Sequence, residues 1–315
     1  MSKYVIRRLL MMIVIVVCAG IVVFTLMYLA PGDPARILLG GEATSEVLAQ
    51  KRAALGIDKP YLQQLGTYLY DTFLRFDFGI SWVYDVPVMS ELSQRLPRTL
   101  AIGIFAMILN VAVGIFLGIK AATHEGKWQD SATMAVAMVF ISLPDFWVAL
   151  MLILLFCLNL GWLPAFGLDS WKCFVLPVIC SSFGGIAVNA RQSRSAMLEV
   201  IRADYITTAR AKGQKEKVVV RKHMFPNALM PIITSLGNGL ANIVAGSAVI
   251  ETVFTIPGVG AYLLTGLNSR DLPVVRGCVV FLALFSGMAM LLVDLAYAFL
   301  DPRIKAQYAG GRKVR

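Results

Sequence analysis

Three carboxylates stand where carboxylates are costly: Asp145, Glu251 and Asp294 lie within or beside long apolar runs of this 315-residue chain. A charge in a bilayer interior is expensive, so such groups line pathways or pair with a nearby cation or helix end. Asp145 follows Pro144 in SLPDFW (Ser142–Trp147); it either lines a pathway or caps the helix that restarts there, and the spacing favours the cap. Glu251, ahead of Pro257-Gly258-Val259-Gly260, reads equally as gate or packing partner, and Asp294 is near enough the inner end to snorkel or to pair with Arg303. Other reactive side chains are dispersed. The histidines are His124 and His223, and Cys18, Cys157, Cys173, Cys180 and Cys278 form no CxxC and no His/Cys cluster. A phosphate-cradling loop needs GxxxxGK[ST]; GIFLGIKAA (Gly114–Ala122) comes nearest and fails on spacing and on the missing hydroxyl. Metal, cofactor and nucleotide chemistry of the chain's own are therefore not expected.

The elements that carry these groups are membrane-length. The chain is 58% hydrophobic and 15% charged, against roughly a quarter charged in a soluble domain. Apolar runs near the ~20 residues that cross a bilayer fall at about 9–30, 99–121, 132–158, 176–197, 229–252 and 274–299. An all-α protein with six transmembrane helices is expected, the third kinked at Pro144. MSKYVIRRLL begins like a signal peptide, but its apolar run continues to about Ala30 and meets PGDP (Pro31–Pro34), so a retained first span is expected. Residues 31–98 mix acids and bases and contain amphipathic patches such as Tyr61–Phe76, which suggests a small helical lobe.

Charge sets the orientation. Residues 191–227 hold nine Lys/Arg against three acids, while the loops at 159–175 and 253–273 each hold a single acid and a single base. By the positive-inside rule both termini and the 191–227 loop are cytoplasmic and the 31–98 lobe is external. This also accounts for the net charge of +10 without nucleic acid. Arg191, Ser193 and Arg194, where the fourth span leaves the membrane, read as anchors. The organisation expected is residues 1–30 as N-terminus and first span, 31–98 as lobe, 99–300 as a core with five spans and a loop at about 199–228, and 301–315 as tail.

Within that loop, DYITTARAKGQKEKVVVRKHMFPNAL (Asp204–Leu229) places Arg210, Lys212, Lys215, Lys217, Arg221 and Lys222 against Glu216. Asp204 can cap a helix through YITTARAK, and Gly213 suits the left-handed position that ends one. The result is a helix of ~12 Å. With Tyr205, Ile206 and Ala209 on one side it could dock in a groove on a soluble partner, Ala209 and Ala211 permitting close approach. The bland alternative is a basic loop that fixes topology and touches anionic lipid headgroups.

The segment resembles the EAA loop of ATP-binding-cassette importer permeases: EAA, three residues, Gly, nine residues, then I-x-L-P. Here Thr207-Thr208-Ala209, Gly213 and His223-Met224-Phe225-Pro226 stand at that spacing, with the Glu, the first Ala, the Ile and the Leu replaced. The variant is similar to that of the peptide/nickel permease family. PGDP, LGIDKP (Leu55–Pro60), DFGIS (Asp77–Ser81), SLPDFW, LGWLPAFG (Leu160–Gly167), RSAMLEV (Arg194–Val200), ETVFTIPGVG (Glu251–Gly260), RDLPVV (Arg270–Val275) and LDPRIK (Leu300–Lys305) resemble the same family in the same order. The resemblance implies a permease subunit without an ATPase site, paired with a second homologous permease, two cytoplasmic ATPases and an external substrate-binding protein. Asp204, Tyr205, Thr207, Thr208, Ala209, Arg210, Ala211, Lys212 and Gly213 would form the ATPase-coupling helix; Asp145, Glu251, Pro257 and Gly258 are pathway or gate candidates. Small peptides are the expected cargo, with nickel or a metal–metallophore complex as the alternative. A gradient-driven transporter would need inverted repeats and a carboxylate relay, and a membrane enzyme a catalytic cluster, neither of which the sequence offers.

Overall fold

A computed structural model describes residues 2–40, 43–229 and 248–300, and every described element of regular structure is helical apart from one isolated bridge, Ile80 to Pro87. The chain divides into two compact units, residues 1–98 with 257–315, and residues 99–256. Among the described residues, four helices are long and apolar enough to cross a membrane: Val5–Leu29, Val88–Thr123, Lys172–Ile201 and Leu272–Val293. The expected fifth span, 229–252, lies mostly outside the described residues, as do Arg303 and the 301–315 tail; of Asp294 the backbone alone is described.

In the first unit, α1 (Ser2–Leu29) packs along the last helix, α13 (Leu272–Leu300). Val16, Phe24 and Val280 are buried between them, while Leu10, Val14, Ile15, Val22 and Leu26 are exposed on α1, the apolar-outside pattern of a helix solvated by lipid. After α1 the chain folds into three short helices, α2 (Pro34–Leu39), α3 (Ser45–Leu55) and α4 (Tyr61–Leu74). Asp33 caps α2 by accepting the Ala35 N–H at 3.1 Å, and its other oxygen binds Arg52 of α3 at 2.6 and 3.0 Å. That guanidinium holds the Asp33 carboxyl below the usual carboxylate range. The amphipathic α4 turns Tyr68 and Thr72 inward, one helical turn apart, and Tyr61 and Tyr68 meet the Phe24 ring at 5.6 and 5.4 Å. The DFGIS segment is pinned in turn, because Ser81 donates to Asp271 at 2.5 Å, and Asp271 also receives the Val83 N–H. Arg270 donates to the carbonyls of Ala30 and Gly32, fixing the PGDP turn where α1 ends.

The stretch 253–273, read from sequence as a loop, contains a ten-residue helix, α12 (Val259–Asn268), packed on α13. Its sequence, VGAYLLTGLN, buries Val259, Gly260, Tyr262 and Gly266. A run this short and apolar between two expected spans gives no periodic signal of its own.

In the second unit, α5 (Val88–Thr123), whose residues from Thr99 onward belong here, packs on α8 (Lys172–Ile201). A Cβ on Gly118 would lie 2.5 Å from the Ala190 carbonyl oxygen and one on Gly114 would lie 2.6 Å from the Asn189 Cβ. GIFLG is thus a small-xxx-small stripe that lets two helices approach at backbone distance, not a failed phosphate loop. Asn189 donates to Asn110 at 3.0 Å within the same contact.

The third expected span is broken rather than kinked. α6 (Trp128–Ser142) ends, Leu143 and Pro144 are extended, and α7 (Asp145–Leu152) restarts, continuing as a π-helical stretch, Ile153–Asn159. The two halves meet at 101°. Proline removes one N–H and also drives the residue before it out of the helical region, so two successive residues leave the helix instead of one bond being lost. Pro97 and Pro177, by contrast, sit inside α5 and α8, which continue through them. The unit's core gathers Ile102, Ala149, Ile153, Leu176, Cys180, Ile250, Phe254 and Ile256, the last from the segment that follows α11 (Ala248–Val253).

Candidate functional site

The basic segment begins where α8 stops. Two residues, Arg202 and Ala203, turn the chain, and α9 (Asp204–Ala211) follows. Ala203 occupies the cap position, extended at φ −77° and ψ 142°, and its carbonyl accepts the Ile206 N–H at 3.0 Å. Asp204 is the first helical residue and makes no capping hydrogen bond, contrary to the sequence expectation. The turn out of α8 is one residue tighter than the motif suggests, and Asp204 contributes only as an anion beside a helix N-terminus. Gly213 does close the helix: its φ is +76° and its N–H reaches the Arg210 carbonyl at 2.9 Å.

The apolar side of α9 is not free to dock elsewhere, which corrects a second expectation. Ile206 (0% exposed) and Ala209 (6%) are buried with Met197 of α8, Val219, Met224 and Ala228 in a core of this unit. Residues three apart share a helix face, and this face is spent on holding α9 in place. Tyr205, Thr207, Thr208, Arg210, Ala211, Lys212 and Gly213 are exposed, as is Asp204. Tyr205, Thr208 and Lys212 form the outward ridge.

Three arginines around this helix are tied up locally. Arg210 reaches across the Gly213 turn to bind Glu216 at 2.7 and 3.2 Å, holding that carboxyl below its ordinary range. Arg202 pairs with Glu125 at 2.9 Å, and Arg194 forms a two-pronged pair with Asp130 at 2.5 and 2.7 Å. Asp130 also accepts the Gly126 N–H, so the start of α6, the turn before it and α8 are joined at one carboxylate. Sequence reading gave Arg194 an anchoring role but missed its partner, 64 residues away, because pairing across helices leaves no spacing signal. After the one-turn α10 (Glu216–Val218), His223 meets Gln214 at 2.8 Å, which fastens the return of the loop.

The pathway candidates are distributed. Asp145 is exposed at the first position of α7, with Pro144 in the cap position and no side-chain cap, so the capping role is not realised. Glu251 is 0% exposed on α11 and accepts a hydrogen bond from Thr99 at 2.7 Å. Pro257 accepts from Arg98 through its carbonyl at 3.2 Å, and Gly258 takes the cap position of α12. Among the described residues no three His, Cys, Asp or Glu side chains converge on a metal-sized site.

The sequence as a whole matches the family described as the binding-protein-dependent transport system inner membrane component over residues 111–306, with that family's N-terminal model over residues 1–103. It is 37% identical over 333 aligned positions to the dipeptide transport system permease protein DppB of Alkalihalophilus pseudofirmus, covering 97% of this chain and 100% of that one. It is 38% identical over 305 positions to the glutathione transport system permease protein GsiC of Salmonella choleraesuis, covering 97% and 99%. The fold resembles an inward-facing structure of the MetNI methionine ABC transporter at a TM-score of 0.54 and 21% identity, over 68% of this chain and 98% of that one. Matched over nearly its whole length, the chain belongs to the binding-protein-dependent transport system inner membrane components, the multi-pass permease subunits of ABC importers, which are not themselves catalytic.

Proposed function

We propose that this subunit forms half of a membrane pathway for small peptides, with α9 as the lever by which ATP hydrolysis on separate subunits drives it. Family membership brings ATPase and binding-protein partners in general. The finer arrangement is a pair of homologous permeases, each engaging one of two cytoplasmic ATPases, with six spans, both termini inside and the 31–98 lobe outside. Peptide cargo is favoured by the names of the dipeptide and glutathione relatives, and nickel is the second reading because the EAA-loop variant also resembles nickel permeases. ATP binding would bias the pathway between two states by as much as its affinity for them differs.

One observation carries the lever: a two-turn helix whose inner face is locked into its own chain by Ile206 and Ala209 while the ridge of Tyr205, Thr208 and Lys212 faces out. The test is Gly213→Val in the reconstituted transporter. At φ +76° a β-branched residue is strained although the space around it is open, so the turn must move while insertion is preserved. Stimulation of ATPase activity by the loaded binding protein should be lost and basal ATPase activity kept. Wild-type stimulation in that variant would remove α9 from the mechanism. Titrating the cognate binding protein with dipeptides, oligopeptides and nickel decides the cargo.

A further inference from the structure

The first unit holds a cation that the transport reading leaves unused. Arg276 sits in the second turn of α13, its guanidinium 4.2 Å from the Phe24 ring and 5.3 Å from the Tyr68 ring. Its Nε and Nη2 are enclosed and have no hydrogen-bond partner among the described residues. The aromatic rings satisfy the faces of the guanidinium, not its in-plane N–H donors. Both donors are closed to a molecule the size of water, so a ligand meets them only when the side chain swings into the space it borders. An enclosed charge that lacks an acceptor is costly, which favours that swing when an anion is offered.

The same side chain lines a cavity of about 830 Å³, within the size range of small-molecule sites. The wall is mixed in sign. Lys51, Lys59 and Arg276 supply cations, and Asp71, Asp77 and Asp85 supply carboxylates. Asp71 has only a long contact of 3.7 Å to the exposed Arg75, and Asp77 accepts the Gly79 N–H at 2.8 Å, which leaves both with unused acceptor capacity. A phosphate dianion would meet three carboxylates here, and a simple cation would meet three positive groups. A molecule that carries both a carboxylate and an ammonium meets both signs of charge on the wall.

We infer that this cavity receives a short peptide with free ends, its carboxylate taken by Arg276 and its ammonium by Asp71, Asp77 and Asp85. The choice of a peptide over other zwitterions rests on the peptide-import reading; the requirement for two opposite charges rests on the wall alone. The site is built from the 31–98 lobe and the start of α13, all within the first unit. It would hold substrate on the permease itself, in addition to the separate binding protein.

The test uses the complete transporter in lipid nanodiscs without its binding protein, titrated calorimetrically with dialanine, N-acetyl-dialanine and dialanine amide. Dialanine should bind saturably. Amidation should weaken binding about tenfold, as should Arg276→Gln, the loss expected for one charge-assisted hydrogen-bonded contact. Asp77→Asn should weaken dialanine binding and leave the acetylated peptide unaffected. Should Arg276→Gln fail to assemble, Lys51→Ala and Asp77→Asn on the cavity wall carry the test. Equal binding of all three peptides, unchanged binding in every variant, or no saturable binding overturns the inference. Import is measured separately with the binding protein present. Peptides that bind the cavity in this charge-dependent way but are not imported would overturn the cargo reading and leave the cavity standing.

Discussion

Two arginines near helix ends show two ways of holding charge in one chain. Arg194 of α8 is 28% exposed and sits in a two-pronged pair with Asp130, itself 7% exposed, which in turn holds the Gly126 N–H. Arg276 of α13 is stacked on two aromatic rings with Nε and Nη2 enclosed and unpartnered. The first arrangement satisfies both partners and fixes two helices to each other. The second leaves a directed demand for an acceptor. A satisfied pair builds a rigid part, and an unsatisfied one in a cavity wall builds a receptor.

That contrast is broken most directly by removing one arginine at a time. Arg194→Ala strands the buried Asp130 carboxylate and should destabilise the protein by about 2–3 kcal/mol, because breaking a buried pair from one side leaves the other charge uncompensated. Arg276→Met removes an unpaired enclosed charge, keeps volume against Phe24 and Tyr68, and should be neutral or stabilising. Thermal unfolding in one detergent compares them; equal losses would erase the distinction. Next in size is an alkaline effect at the same aromatic wall. Burial pushes the Tyr68 hydroxyl up from 10 to about 12. The folded protein keeps that proton where the unfolded chain gives it up, so stability is intact below about pH 10 and falls as pH rises toward 12, by up to about 2 kcal/mol. Tyr68→Phe should flatten that part of the stability–pH curve, and a curve identical to wild type would refute the assignment. The smallest effect is expected at Glu216→Gln. It weakens the Arg210 pair across the Gly213 turn, an exposed pair of at most about 1 kcal/mol, and should leave the melting temperature nearly unchanged. A large drop would mean that this turn bears more of the structure than its exposure implies.

The long apolar helices were legible because membrane solvation writes length and hydropathy directly into sequence, and the short helix α9 because its end glycine carries a backbone requirement. The break at Leu143–Pro144 was legible in position and not in size, since a proline marks where a helix is disturbed and tertiary packing decides by how much. The direction faced by Ile206 and Ala209 was hidden. An apolar ridge on a short helix looks the same whether it meets a partner or its own chain, and only Met197, Val219 and Met224 arriving opposite it decide. Arg276 did leave a signal: a lone arginine at the start of a membrane-length run is as costly as the three carboxylates first singled out. Its cavity was not legible, because Lys51, Asp77 and Arg276 come together only through the fold.

The contact between α5 and α8 has a mechanical consequence. Gly114 and Gly118 set the two backbones against each other with no side-chain layer between them. A joint with no soft layer has no play, and close-packed protein is stiff against compression. α9 is rooted in the end of α8 by two further buried residues, Ile206 and Ala209. A displacement applied at Tyr205 therefore arrives at α8 and α5 without being absorbed on the way, and a methyl group added at Gly118 would act as a wedge that throws the whole train out of alignment.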